Sequence, residues 1–233
     1  MDLLARRQRL PEVMDQPGLD PTAHRRALDG LARVNAVSRT AMAVWRALNR
    51  ALGRPQRLRL LDVACGGGDV TIALWSLARR AGVQAQIKGI DISGLAIERA
   101  REKAECERAS VRFEQGDVLT GRLEGGYDVV MSSLFLHHLD DSDAVRLLRT
   151  MAAASPGLLI IDDLIRSPTG YLLALLGTRL LSRSRVVHVD GPRSVRSAFS
   201  TTEVAELARQ AALGSVRIQR RWPSRWMLTA RPA

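Results

Sequence analysis

Cysteine is nearly absent from this chain of 233 residues: Cys65 and Cys106 are the only two. They are too few and too far apart for a disulfide framework or a thiolate zinc pattern, so a reducing, cytoplasmic setting is expected. Long apolar runs are missing as well. No stretch reaches the roughly 18–20 apolar residues of a membrane span, and no N-terminal apolar segment with a cleavage site is seen. Aromatic residues make up only 4%, which leaves few stacking partners for nucleic-acid bases. Lysine is reduced to Lys88 and Lys103, so the formal charge of +11 is carried by arginine. The arginines are scattered and none of their runs encloses an aromatic residue. A solvated basic surface is therefore the expectation and a nucleic-acid partner is not, while contact with an anionic membrane surface stays open.

What the chain does have is a glycine loop between a strand and a helix. Leu58, Leu60, Leu61 and Val63 supply an apolar strand, Gly66-Gly67-Gly68 a loop without side chains, and Val70-Thr71-Ile72-Ala73-Leu74 resumes at helical spacing. A second short strand ends in Asp91, about 20 residues further on, where a carboxylate can accept the hydroxyls of a ribose. The loop is not that of a dinucleotide site. Its glycines are contiguous, and Asp69 follows them at the helix start, where it would repel a diphosphate. A nucleoside bearing a cationic amine or sulfonium tolerates Asp69, and Asp62 before the loop points the same way.

With 46% hydrophobic residues the chain can fill one core. Strands are expected near 58–63, 86–91, 111–115, 127–132 and 157–163, and helices near 69–81, 94–106 and 141–154. Such alternation builds a parallel sheet with helices on both faces and gathers ligands at the C-terminal strand ends. Ahead of it, Met1 to about Pro17 reads as a loosely attached tail, and helical spacing from about Pro21 to Leu52 as a cap. The stretch from Leu164 to Phe199 is too long for an ordinary connection. A helix packed in the core, a lid over an apolar acceptor and a membrane-docking surface are its three readings. Ser200-Thr201-Thr202-Glu203 is a capping box opening a helix to about Leu213.

Through these ordered motifs, from about Leu58 to about Gly157, the chain resembles the class I S-adenosylmethionine-dependent methyltransferases. The subgroup it resembles includes the menaquinone and ubiquinone C-methyltransferases and many natural-product O-methyltransferases. The family's first motif appears as Asp62, Ala64, Gly66 and Gly68, with Ala64 in place of the first glycine. Asp91 matches the ribose-binding acid, Gly116-Asp117-Val118 the adenine-binding pair, and Tyr127 to Leu139 the fourth strand and its loop. The resemblance implies an α/β, Rossmann-like, mostly parallel seven-stranded sheet. It also implies a terminal hairpin at 216–220 and 226–230, and together with the helical spacing and the long connection it divides the chain into an N-terminal helical cap (1–55) and a core (56–233) with an inserted lid (164–199) after strand five. S-adenosylmethionine would be the cofactor and S-adenosylhomocysteine the product. The implied cofactor-binding residues are Asp62, Ala64, Gly66, Gly68, Asp69, Asp91, Ile92, Asp117, Val118 and Ser132.

Methyl transfer to an alcohol or phenol gains from a histidine within reach of the hydroxyl proton. His137 and His138 follow strand four, and Asp162 and Asp163 end strand five on the neighbouring rim. His138, His137 and Asp163 are accordingly the candidate catalytic residues, with His138 favoured over His137 as base and Asp163 over Asp162 as the acid that faces the cavity and supports a histidine. Asn35, Arg39 and Arg196 are candidates for the acceptor pocket, with Ser38, His188, Arg193, Ser194 and Phe199 behind them. Trp222 and Trp226 are expected to pack on the sheet. His137, His138, Asp140 and Asp141 have no metal-site spacing, and no metal is expected. The expected acceptor is small and apolar or aromatic, above all a phenolic, polyketide or quinone-like hydroxyl in secondary metabolism. C-methylation of a quinone precursor, and a non-catalytic S-adenosylmethionine-binding protein, are the alternatives. Monomer and homodimer fit equally.

Overall fold

The computed structural model describes residues 4–16, 18–120 and 123–231, so Met1 to Leu3 and Pro17 of the expected tail lie outside it. Helix α1 (Pro21–Val37) starts where Asp20 accepts from the Ala23 amide and Pro21 presets φ. The chain turns left-handed at Arg39 and continues as α2 (Thr40–Leu52), which Gly53 closes in the left-handed region. Strand and helix then alternate as β1 (Arg57–Val63), α3 (Asp69–Arg80), β2 (Gln84–Asp91), α4 (Gly94–Cys106) and β3 (Val111–Gln115). After β4 (Val129–Ser133) comes a single 3₁₀ turn (Leu136–His138), then α5 (Asp141–Ala154) and β5 (Leu158–Leu164). The long connection consists of α6 (Pro168–Leu181) and α7 (Arg185–Ser197), followed by α8 (Thr201–Gln210) and the hairpin β6 (Ser215–Arg221) and β7 (Arg225–Arg231). The expected capping box at Ser200 and Glu203 is formed in full at the start of α8.

The seven strands form one sheet in the order β3-β2-β1-β4-β5-β7-β6. β1 to β5 run parallel, and β7 inserts antiparallel between β5 and β6. The central strands read as continuous apolar runs because both of their faces are covered. Leu58, Leu60, Met131 and Ile160 pack on one face against Val44 and Leu48 of α2 and Val70 and Leu74 of α3. Leu61, Val63, Val130 and Ile161 pack on the other against Leu147 and Leu148 of α5 and Val204 and Leu207 of α8. At ~1.5–3 kcal/mol for each fully buried aliphatic side chain, this double layer outweighs the surface ion pairs at ~0–1 kcal/mol each.

One segment differs from expectation, and a second keeps an exposed apolar face. The described part of the tail is not loosely attached: residues 4–16 lie as an ordered strap along α7 and the turn after β4. The Gln8 amide donates to the Arg196 carbonyl, and the Val13 and Met14 amides donate to the two carboxylate oxygens of Asp190 at 2.8 and 3.0 Å. The strap holds no regular element, so no periodicity announces it. α6 is not buried all round: Leu172, Leu173 and Leu176 are half exposed and Leu180 is 85% exposed. Trp226 is buried in the sheet as expected, whereas Trp222 at the hairpin tip is exposed. Among the described residues no helix is long and apolar enough to cross a membrane.

Candidate active site

The loop after β1 is shaped by left-handed residues at Ala64 (φ 55°), Gly66 (φ 53°) and Gly68 (φ 73°). Gly68 admits no side chain, since a Cβ there would stand 2.7 Å from the Phe113 ring and 2.8 Å from Ala100. Ala64 carries its methyl group in the same backbone region at a cost of about 1–2 kcal/mol. The Gly66 amide donates to one oxygen of Asp91 (2.8 Å) and the Ser93 amide to the other (2.9 Å). Asp91 is thereby locked at the tip of β2, with lone pairs left on both oxygens for incoming hydroxyls.

Two further carboxylates flank the loop. Asp62 accepts from the Thr71 hydroxyl (2.6 Å) while its other oxygen has no partner among the described residues, and Asp69 accepts from the Asn35 amide (3.0 Å). Burial pushes the Asp62 carboxyl up to about 7, and it raises Asp69 and Asp91 as well. Asp69 and Asp91, each held by hydrogen bonds, put two acids beside the loop that suit a cation, with Asp62 buried behind them.

A cavity of about 630 Å³ opens over this loop, within the usual ~300–1,000 Å³ of a small-molecule site. Of the residues read as cofactor-binding, Ala64, Gly66, Asp69, Asp91, Ile92, Asp117 and Val118 line it, and so does Asn35 of α1. The donor set fits S-adenosylmethionine. Asp91 offers carboxylate oxygens to a ribose, the glycines leave room for close approach, and the buried acids complement a sulfonium and an ammonium. Asp62, Gly68, Ser132 and Asp163 lie outside the lining. Strand alternation turns Ser132 toward the α5 and α8 layer, and Ser133 and Leu134 reach the cavity in its place. Arg39 and Arg196 are not acceptor-pocket residues. Arg39 is an exposed helix-junction residue, and Arg196 binds the Gln8 side chain of the strap. Asn35 faces the cavity but is already engaged, clamping Asp69 and accepting weakly from Arg225 (3.4 Å).

Into the same cavity the 3₁₀ turn presents both histidines. His137 is buried, with Nδ1 2.6 Å from Asp163 Oδ1, and its backbone amide donates to Asp163 Oδ2 (3.1 Å). Asp163 is therefore the partner of His137, not of His138. Asp162, one position earlier and on the opposite face of β5, is a structural acid held by Arg221 and Arg225. His138 is partly exposed and turns Nδ1 to Asp15 of the strap at 2.9 Å. The two rings lie against each other, with centroids 4.4 Å apart, and both reach Glu12, also from the strap: His137 Nε2 is 3.5 Å from its Oε1 and His138 Nε2 is 3.8 Å from its Oε2. Burial opposes a charge on His137, but the Asp163 and Glu12 carboxylates prevail and raise the imidazole to about 10. The histidines in turn bring Glu12 down to about 2 against the effect of its burial.

Glu12, Asp15 and His24 line the cavity and escaped the sequence reading. The first two lie in a segment without periodicity, and their partners are more than a hundred positions away in sequence.

With this geometry in view, the chain is 30% identical over 188 residues to the ubiquinone biosynthesis O-methyltransferase of Methylococcus capsulatus, covering 80% of this chain and 73% of that protein. The chain belongs to the class I S-adenosylmethionine-dependent methyltransferases. A family described as a methyltransferase domain matches residues 60–155, the stretch from β1 to the end of α5. The Bordetella parapertussis enzyme of the same name is 33% identical over 163 residues, covering 66% of this chain and 61% of its own length. The fold is shared with a SAM-dependent methyltransferase from Aquifex aeolicus, at a TM-score of 0.66, 19% identity, and coverage of 92% of this chain and all of that one. It is also shared with the magnesium protoporphyrin IX methyltransferase of Synechocystis, solved with S-adenosylhomocysteine bound, at a TM-score of 0.60, 18% identity, and coverage of 94% and 91%.

Proposed function

We propose that this methyltransferase moves the methyl group of S-adenosylmethionine to a hydroxyl of a small, apolar acceptor of phenolic or quinone-like character. The observation that carries this reading is the convergence of Glu12, His137 and His138 on one point of the cavity that the glycine loop also lines. An acceptor oxygen at that point meets imidazole and carboxylate groups able to take up its proton or hold its charge. Leu134, Phe135 and Leu139, beside the histidines in sequence, line the same cavity with apolar surface, which suits a ring.

The cofactor supplies an electrophilic methyl group on a sulfonium, and the chain supplies position. Asp91 fixes the nucleoside end, Asp69 and Asn35 the loop at the middle, and the 3₁₀ turn the acceptor end. Holding both reactants in line is worth up to ~7–11 kcal/mol of the barrier. The names of the ubiquinone O-methyltransferase relatives support oxygen as the methylated atom.

The test is incubation of the purified protein with methyl-labelled S-adenosylmethionine and a panel of apolar phenols, hydroxyquinones and aromatic amines. Label in the organic phase, found as a methoxy carbon by NMR, supports the reading. A C-methyl product would replace oxygen by carbon as the target. Label in protein or RNA, or no turnover across panel and cell extract, would overturn it.

A further inference from the structure

We propose that Glu12, His137 and His138 form a binding site for one divalent first-row transition-metal ion. The three donor atoms lie within 4.8 Å of one another, Glu12 and His137 being buried and His138 partly exposed. Both histidines turn Nδ1 to a carboxylate, Asp163 at 2.6 Å and Asp15 at 2.9 Å. A neutral ring that donates from Nδ1 has its lone pair on Nε2, and both Nε2 atoms face the same Glu12 side chain. Their distances to it, 3.5 and 3.8 Å, are long for hydrogen bonds. The first is to Oε1 and the second to Oε2, so the two carboxylate oxygens each stand near one ring, close to the separation of about 3.4 Å between donors that each stand about 2.1 Å from one tetrahedral ion.

Each donor has its own support. Asp163 and Asp15 orient the rings, and the Ser194 hydroxyl donates to Glu12. Carboxylates behind ligating imidazoles are the usual means of fixing tautomer and ring direction. The charges agree as well: Glu12, Asp15 and Asp163 place three carboxylates around the two rings, a surround suited to a dication. Two imidazoles and one carboxylate favour zinc, cobalt, manganese or iron(II) over magnesium and calcium, which take oxygen donors. The sequence offered Asp140 and Asp141 as neighbours of the histidines, but they serve elsewhere, Asp140 capping α5 and Asp141 pairing with Arg7. All three proposed ligands line the cavity, so the open side of the ion faces the acceptor end. The site coincides with the one proposed for methyl transfer, but metal binding does not depend on that reading.

The experiment titrates tag-free, chelator-treated protein with Co²⁺, follows the visible d–d bands, and measures zinc content by mass spectrometry after dialysis against Zn²⁺. One ion per chain is expected, undisturbed by excess Mg²⁺ and retained in a Cys65→Ser/Cys106→Ser variant. Glu12→Gln and His138→Ala should abolish the bands with unchanged circular dichroism, and Asp163→Asn should weaken binding about 10–100-fold. Absence of saturable binding by the wild type, its persistence in both Glu12→Gln and His138→Ala, or its loss with the cysteines would overturn the proposal. A failure of methyl transfer alone would leave these readings unaltered.

Discussion

His137 is held twice by Asp163: the carboxylate receives the imidazole Nδ1 at 2.6 Å and the backbone amide of the same residue at 3.1 Å. One acid thus fixes both the ring and the turn that carries it to the end of β5. With His137 3% and Asp163 1% exposed, neither has water to fall back on. Removing one partner of such a buried pair costs about 3–5 kcal/mol, because the other is left without compensation. Asp163→Ala is expected to lose that much in urea unfolding, and Asp163→Asn, which keeps a hydrogen-bond acceptor, less. A loss below about 1 kcal/mol for Asp163→Ala would show that the pair does not hold the turn.

His138 should behave differently. Its partner Asp15 is 57% exposed in its side chain, and exposed pairs contribute only ~0.2–1 kcal/mol. His138→Ala should therefore leave stability and S-adenosylhomocysteine affinity almost unchanged. Turnover should fall by about 10²–10⁴-fold if the residue handles the acceptor's proton. Calorimetric titration with the product and a labelled-methyl assay separate the two effects. Equal losses of affinity and turnover would move His138 to the cofactor end.

Asp91 organises the cofactor end through two backbone amides, Gly66 on the loop and Ser93 at the start of α4. Its removal loses the ribose acceptor and frees the loop at once. Charge-assisted hydrogen bonds contribute about 1.5–3 kcal/mol each, so Asp91→Ala should weaken S-adenosylmethionine binding on the order of 100-fold. Asp91→Asn should fall between, since one oxygen remains. Equilibrium dialysis reads both.

How far the sequence reveals such features depends on how local their cause is. The loop, Asp91 and the Ser200–Glu203 capping box depend on neighbours within a few residues, and each stands where the pattern places it. The parallel strands were legible for the same reason: apolar runs broken by turn residues leave few alternatives. Asp163 could be preferred over Asp162 from the sequence. Its pairing with His137 in place of His138 could not, because that depends on how one 3₁₀ turn directs two adjacent rings. Glu12 and Asp15 were invisible for a stronger reason. The strap is held by side chains of α7 and by Asp141, so nothing near Glu12 in sequence reveals its position. Arg39 and Arg196 fail for the opposite reason: on an arginine-rich surface, residue type alone says little about which guanidinium faces a cavity.

Asp62 makes stability depend on pH in an unusual direction for a carboxylate. Its folded-state value of about 7 lies above the ordinary 3.8, with burial as the largest cause, so the folded protein binds this proton more tightly than the unfolded chain does. The contribution is fully present below about pH 4 and is lost as pH rises toward 7, at up to about 1.4 kcal/mol per pH unit. Asp62→Asn cannot ionise. The difference between wild-type and Asp62→Asn unfolding free energies should therefore shift in favour of the variant between pH 5 and 7 and level off above. A flat difference across that range would show that Asp62 is ionised throughout.

The strap supplies Glu12 and Asp15, so its attachment determines whether the acceptor end exists at all. Arg7 is its main anchor: the guanidinium donates to the carbonyls of Ser197 (2.6 Å), His137 (3.1 Å) and Leu139, pairs with Asp141, and lies 3.6 Å above the Phe199 ring. These contacts join α7, the histidine turn and the start of α5 through one side chain. Arg7→Ala removes them together without touching the sheet, so it should increase local opening and leave global stability nearly unchanged. The amides of Val13 and Met14, both bonded to Asp190, report that opening by hydrogen exchange. They are expected to exchange about 10–100-fold faster in Arg7→Ala, corresponding to about 1.4–2.8 kcal/mol, while amides of β1 keep their protection. Turnover should fall with them, because Glu12 and Asp15 leave the histidines whenever the strap lifts. Faster exchange in β1 as well would mean that Arg7 stabilises the whole fold, and unchanged exchange at Val13 and Met14 would mean that Asp190 holds the strap without it.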